Sequence, residues 1–341
     1  TTRGFRDALR IGYQNRPDLF ALELTLPDQL YDGVLEVPER ISAEGTVLTP
    51  LDEDAVRTGL QHHFDCGYRS VAIVLMHSYR FPSHEQRVAE IARYIGFTQA
   101  SVSHEVSPLM KLVSRGDTTV ADAYLSPILY RYVDQVQRDL KGVSLMFMQS
   151  NGGLTSANLF RGKDSILSGP AGGVVGAART TAMAGFDKVI GFDMGGTSTD
   201  VSHYAGAFER AFETSVAGIR LRSPIMKIHT VAAGGGSLLL FDGARFRVGP
   251  ASAGADPGPA CYGRGGPLTV TDANVLLGRI QPAHFPHVFG EDGKASLDPK
   301  AARQKLEALT VEVNAGLGSA LSSEEVAEGF LTIAVENMAN A

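Results

Sequence analysis

The residues with the clearest chemistry lie in Gly191-Phe192-Asp193-Met194-Gly195-Gly196-Thr197-Ser198-Thr199-Asp200. Asp193 and Asp200 bracket Gly195 and Gly196, and Thr197 and Thr199 add hydroxyl groups. Glycines let the backbone approach a ligand with no Cβ in the way. Successive N–H groups in a turn make a concavity that holds anions. Carboxylates are ligands that Mg²⁺ takes directly or through water. The set reads as a turn for the phosphates of a nucleotide, with Gly195, Gly196, Thr197 and Thr199 on the phosphates and a metal at Asp193 and Asp200. No Gly-Lys-Ser/Thr follows, which excludes a Walker loop. The turn leads into a strand and not a helix, which excludes a dinucleotide fingerprint.

Two strands must position this turn. Lys188-Val189-Ile190 is an apolar run that ends at it, and Thr199 to Tyr204 alternates, so a hairpin is expected. Other glycine clusters among the chain's 38 glycines also abut apolar segments and read as ordered turns. Gly169 to Gly173 reads as a loop opening a helix over 174–184, a natural anion site. Gly234, Gly235 and Gly236 permit a backbone path that side chains would block, wrapping the nucleotide or the acyl substrate. The segment 253–267 reads as a long loop carrying Asp256, Cys261 and Arg264, which are assigned to the substrate side. Cys261 is a nucleophile only if a base stands beside it, and the sequence identifies none. Asp272 is expected to cap a helix and to serve as a further catalytic carboxylate. His62-His63 and His284-x-x-His287 lack a third ligand of matching spacing, which argues against a metal there. Arg115-Gly116-Asp117 reads as a solvated turn.

The wider pattern is that of an α/β protein. Helices are expected over 51–65, 83–96 (opened by a Ser83/Gln86 capping box), 117–140 (interrupted at Pro127) and 323–341. Strands are expected over 34–37, 70–76, 99–106 and 145–149. This alternation predicts a largely parallel sheet. The 341 residues are expected to form two domains, 1–185 and 186–341. The net charge of −6 argues against a nucleic-acid partner. No apolar run reaches the ~20 residues that span a bilayer. Two cysteines without metal spacing predict a reducing compartment, hence the cytoplasm.

Several motifs together resemble the hydantoinase/oxoprolinase family. They are Met148-Gln-Ser-Asn-Gly-Gly153, Leu167 to Gly176, Gly191 to Ser202, Thr230 to Ser237, Val248-Gly-Pro250, Ala253 to Cys261 and Val270-Thr-Asp-Ala-Asn274. Thr1 to Asp7 and Arg16-Pro-Asp18 extend the likeness over essentially the whole chain. Leu75 to Tyr79, Ile190 to Tyr204 and Phe285 to Gly290 look most like the ATP-dependent 5-oxoprolinase branch, with the hydantoin-utilisation branch close behind.

The resemblance implies an actin-like ATPase architecture of two ribonuclease-H-like domains with ATP in the cleft. It implies ATP and Mg²⁺ as cofactors, a small cyclic amide (5-oxoproline or hydantoin) as substrate, and a hydantoinase B-type subunit or domain as partner. A homo-oligomer is also expected. The implied reaction phosphorylates the lactam oxygen, and water then opens the ring; an O-phosphorylated imidate has the leaving group that an unstrained amide lacks. The family opens with another Asp-x-Gly-Gly-Thr-type turn that does not precede Thr1. The chain is therefore expected to be part of a longer protein, incomplete at both ends and inactive by itself. An ATP-dependent carboxylase, an N-methylhydantoinase, a non-enzymatic actin-like nucleotide-binding module and a sugar kinase are the competing readings.

Overall fold

A computed structural model of the chain describes residues 1–12, 20, 22, 23, 28–216 and 218–340. The Arg16-Pro-Asp18 motif lies outside the described residues. Contacts divide the chain into two compact units. One comprises 1–175 with 209–227, the other 176–208 with 228–341. The division falls ahead of residue 185, inside a helix, and 209–227 returns to the first unit.

The first unit is built around a βαβ element. Helix α1 (Glu53–Asp65) starts where the Asp52 carboxylate accepts the Ala55 amide at 3.0 Å, the local signature of an N-cap. Strand β1 (Ser70–Ile73) is followed by α2 (Ser83–Ile95) and β2 (Gln99–Val102), and β1 pairs with β2 in parallel. Parallel neighbours need such a crossover. Val56, Leu60, Ile73, Val88, Ile91, Phe97 and Val102 form the core between strands and helices. Val34–Val37 makes only a single bridge, from Val37 to Thr2, and no strand. The expected Ser83 capping box does not form. The first turn of α2 instead sends Glu85 inward, where it accepts bonds from the Leu75 amide and the Ser78 and Ser103 hydroxyls. Gly96 ends the helix at φ +116°, a left-handed conformation that suits glycine.

Helix α3 (Leu112–Asp139) begins earlier than the sequence suggests and runs through Pro127. It contains Arg115 and Asp117, so the expected solvated turn is a buried helical segment. Arg115 is fully enclosed. Its Nε donates to Ser103 Oγ at 2.9 Å, and its two terminal nitrogens donate to the carbonyls of Leu109, Met110, Leu75 and Met76 at 2.7–3.0 Å. The guanidinium fork thus has all five donors used, which is why a charged side chain sits in the core without a free charge facing apolar atoms. Strands β3 (Met146–Met148) and β4 (Leu154–Ser156) form an antiparallel hairpin. Among the described residues β1–β2 is the single parallel pair of strands, beside the isolated parallel bridge of Thr2 and Val37, so the expected largely parallel sheet is replaced by short, mostly antiparallel ribbons.

Helix α4 (Ser168–Met183) includes Gly169 to Gly173 within its length. The expected glycine loop is therefore the opening stretch of the helix itself, where the Ala171 amide bonds the Leu167 carbonyl at 3.0 Å.

The second unit carries the hairpin. Strands β5 (Lys188–Met194), β6 (Thr199–Ala205) and β7 (His229–Val231) form an antiparallel sheet in the order β7-β6-β5. Strands β8 (Ser237–Phe241) and β9 (Phe246–Ser252) form a second ribbon. Helices α5 (Val270–Leu276), α6 (Pro299–Leu317) and α7 (Ser323–Ala339) pack against that ribbon through Leu239, Val248, Val270, Leu306, Val313 and Phe330. Burying one such side chain as fully as Phe330 contributes about 1.5–3 kcal/mol. Asp298 caps α6 through the amides of Lys300 and Ala301, and Ser322 and Glu325 form a reciprocal capping box on α7. Among the described residues no helix is long and apolar enough to cross a membrane.

Candidate phosphate-binding site

The turn between β5 and β6 is closed by the Gly195 amide donating to the Ser198 carbonyl at 2.9 Å. Asp193 stands directly opposite Asp200 in the ladder, and Met194 opposite Thr199. The alternation of a strand puts both carboxylates on one face. Facing like charges in a cross-strand pair repel, and a cation between them would relieve that repulsion. The Thr230 hydroxyl donates to Asp200 Oδ1 at 2.6 Å and fixes that carboxylate, while Asp193 is exposed. Among the described residues no group of three or more His, Cys, Asp or Glu could hold a metal. Carboxylates are a ligand type for Mg²⁺, and Asp193 and Asp200 are the residues that would hold it.

The tip of the turn is open. Gly195, Gly196 and Thr197 are exposed, and the amides of Gly196 and Thr197 and the Thr197 hydroxyl make no hydrogen bond to the described residues. Neither glycine has a positive φ. A Cβ on Gly196 would meet nothing within 4 Å, and one on Gly195 only the Ser198 carbonyl at 3.5 Å. The fold therefore does not itself demand glycine at these two positions. A ligand lying on the turn would, because a methyl group would fill the space through which it reaches the amides.

Gly234, Gly235 and Gly236 sit beneath the turn. The Gly235 amide donates to the Gly195 carbonyl at 3.0 Å, the Gly236 amide to the Gly196 carbonyl at 2.6 Å, and the Gly234 amide to Ser237 Oγ at 2.9 Å. All three donors are consumed, so these residues buttress the turn instead of contacting phosphate through those amides. The buried Thr199 hydroxyl likewise donates to the Ala233 carbonyl at 2.6 Å and acts as a strut.

The remaining sequence candidates lie elsewhere in the same unit. Asp272 is buried, and its carboxylate accepts from the Thr269 amide and hydroxyl and from the amides of Ala260 and Cys261, at 2.7–3.1 Å. It is the third residue of a capping box with Thr269 as cap, and in this arrangement it ties the 253–267 segment to α5. Cys261 is fully buried. Burial and the Asp272 carboxylate push its thiol well above the ordinary cysteine range, the opposite of what a nucleophile needs. The Arg264 side chain donates to the carbonyls of Gly290 and Val288, and Asp256 is exposed. The structure thus groups Asp193, Gly195, Gly196, Thr197 and Asp200 at the turn and gives Asp272, Cys261 and Arg264 other partners. A cavity of about 520 Å³ lies in the first unit, with walls that include Leu60, Tyr68 and Val71, and none of these candidates lines it.

The sequence profile described as Hydantoinase/oxoprolinase matches residues 115–341, and that of the Hydantoinase/oxoprolinase N-terminal region matches residues 1–96. The chain belongs to the hydantoinase/oxoprolinase family. The 5-oxoprolinase of Saccharomyces cerevisiae is 46% identical, across 99% of this chain and 29% of its own length. The alpha subunit of the caprolactamase of Pseudomonas jessenii is 34% identical, across 97% of this chain and 48% of its own. The solved structure of the ATP-dependent caprolactamase from that organism superposes with a TM-score of 0.75 at 31% identity, covering 99% of this chain and 50% of that one. The nucleotide-free structure of acetone carboxylase gives 0.73 at 26% identity, covering 97% and 49%. This member of the hydantoinase/oxoprolinase family therefore has the α/β, actin-like ATPase architecture that the resemblance implied. It spans about 29% of the length of the 5-oxoprolinase it matches.

Proposed function

We propose that the turn Gly195–Thr197 holds the phosphates of ATP, with Mg²⁺ between Asp193 and Asp200, and that the intact protein couples ATP hydrolysis to the opening of a cyclic amide of the 5-oxoproline type. The observation that carries this is the exposed turn itself, whose free amides and hydroxyl lie beside two opposed carboxylates with open space where a Cβ would be. The likeness to 5-oxoprolinase supports the substrate class. Bound Mg²⁺ would neutralise charge on the phosphate oxygens. The chain's own part is to orient those oxygens: the Gly196 and Thr197 amides donate to them, the Thr197 hydroxyl adds a third donor, and Thr230 keeps Asp200 turned toward the metal. The likeness to one subunit of a caprolactamase supports a second, hydantoinase B-type subunit or domain as partner.

The likeness to acetone carboxylase favours a second reading, in which the same phosphorylating site activates a ketone or bicarbonate. Phosphate release from ATP by the intact protein with its partner distinguishes the two. Release driven by 5-oxoproline, hydantoin or N-methylhydantoin, and lost in Asp193→Asn, supports the amidohydrolase. Release that needs a ketone and bicarbonate moves the protein to the carboxylases. Wild-type turnover retained in Asp193→Asn removes the proposed metal site.

A further inference from the structure

We infer that Thr271 is a positioning residue for the phosphate turn, acting through Gly235. The inference rests on the reading that the Gly195–Thr197 turn holds phosphate. Gly235 is gripped from two sides. Its amide donates to the Gly195 carbonyl at 3.0 Å, and its carbonyl accepts both the Thr271 amide and the Thr271 hydroxyl, each at 2.8 Å. The turn is thus linked through one residue to the start of α5.

The Thr271 hydroxyl is not needed to cap that helix. Thr269 and Asp272 already form the capping box, and among the described residues the Thr271 hydroxyl bonds only the Gly235 carbonyl. Two donors on one carbonyl fix its orientation as well as its position, so the Gly235 peptide cannot twist freely under the turn. The packing is close: a Cβ on Gly235 would lie 2.9 Å from Thr271 Oγ1. The helix end is rigid because Val270, Ala273 and Val275 are buried and because Asp272 holds the amides of Ala260 and Cys261. A donor site must be held within a fraction of an ångström to act on developing charge, and a supporting layer anchored in the core supplies that. Thr271 transmits the fixed position of α5 to the turn. The same helix end anchors the 253–267 segment through Asp272, so turn and segment take their register from one place.

The test uses Thr271→Val, which keeps the shape and the backbone amide but removes the hydroxyl, and Thr271→Ser, which restores it. In the intact protein, Thr271→Val should raise the KM for ATP several-fold, because the donors of the turn lose their fixed position. Its melting temperature should fall by no more than a few degrees, the cost of one internal hydrogen bond, and hydrogen exchange at the Gly195, Gly235 and Gly236 amides, which bond within and beneath the turn, should quicken. Thr271→Ser should recover both. A Thr271→Val protein with wild-type KM and wild-type exchange at the Gly195, Gly235 and Gly236 amides overturns the inference, as does a loss of ATP affinity that follows only a lowered melting temperature. The exchange measurement needs no nucleotide. Quickened exchange in a protein that never binds ATP would refute the phosphate reading while leaving the grip of Thr271 on the turn established.

Discussion

A Cβ on Gly234 would lie 2.7 Å from the carbonyl oxygen of Gly196, whereas a Cβ on Gly196 would meet nothing within 4 Å. The two glycines lie on facing segments and have different surroundings. Gly234 lets two backbones touch. Gly196 leaves the outer surface of the turn open.

Alanine at the two positions should therefore behave in opposite ways. Gly234→Ala should destabilise the second unit by about 1–3 kcal/mol, the scale of overpacking. Gly196→Ala should leave stability unchanged or slightly raised, since it removes chain entropy from the unfolded state, yet weaken ATP binding. Thermal melts with and without MgATP read both quantities. Equal destabilisation by the two variants would contradict the separation of roles.

The Asp193–Asp200 pair makes a second pair of effects separable. Asp193→Asn relieves repulsion between facing carboxylates, so the nucleotide-free protein should melt no lower than the wild type. The added stability from MgATP should be largely lost, because ligand stabilisation follows affinity. Melting curves at several Mg²⁺ concentrations check this; a variant stabilised by MgATP as well as its parent would place the metal elsewhere.

Arg115 offers a test of the first unit. Truncating it to alanine leaves the Glu85 carboxylate and several carbonyls in the core without their cation. Breaking a buried charged network costs about 3–5 kcal/mol. Denaturant unfolding of Arg115→Ala should show a loss of that order, and Arg115→Lys a smaller but clear loss, since one ammonium cannot replace the planar fork. A change within experimental error would mean that the network is not a determinant of the fold.

The pH dependence carries a definite sign at Asp117. Burial raises its carboxyl to about 6, with the Arg220 charge opposing. A carboxyl whose folded pKa exceeds its unfolded value binds more protons when folded, so its contribution to stability falls as pH rises from about 4 to 6. Asp117→Asn removes that penalty. The variant should match the wild type near pH 4 and exceed it by about 1 kcal/mol at pH 7, after allowance for solvent screening of a partly exposed group. Unfolding free energies across that range decide it, and a difference independent of pH would show that Asp117 ionises normally.

The two cysteines should differ sharply toward an alkylating reagent. Cys66 is exposed and Cys261 is buried beside the Asp272 carboxylate. Brief treatment of the native protein followed by peptide mapping should find Cys66 modified and Cys261 protected until unfolding. Rapid native labelling of Cys261 would restore it as a nucleophile candidate.

The hairpin and its turn were legible in the sequence because their information is local: an apolar run, two glycines, and an alternating strand specify where the chain reverses and which residues flank the reversal. The family was legible for the same reason, since its motifs are short and contiguous. Glycine clusters were less readable. Gly169 to Gly173 joined a helix, and Gly234 to Gly236 became a support, because a residue without a side chain states what the backbone is permitted to do and not what it meets.

Local sequence carried the glycine turn between two strands and the apolar faces of the helices, whereas the caps at Asp298 and Ser322 emerged only from the structure. Tertiary structure alone decided that Asp193 faces Asp200, that Gly235 joins the turn to Thr271, that Asp272 and Cys261 are enclosed, and that Arg115 is buried with every donor satisfied. The division has a physical origin. Turns and periodicity depend on neighbours a few residues apart, whereas the partner of a buried carboxylate, amide or guanidinium is set by whichever distant segment the core brings against it.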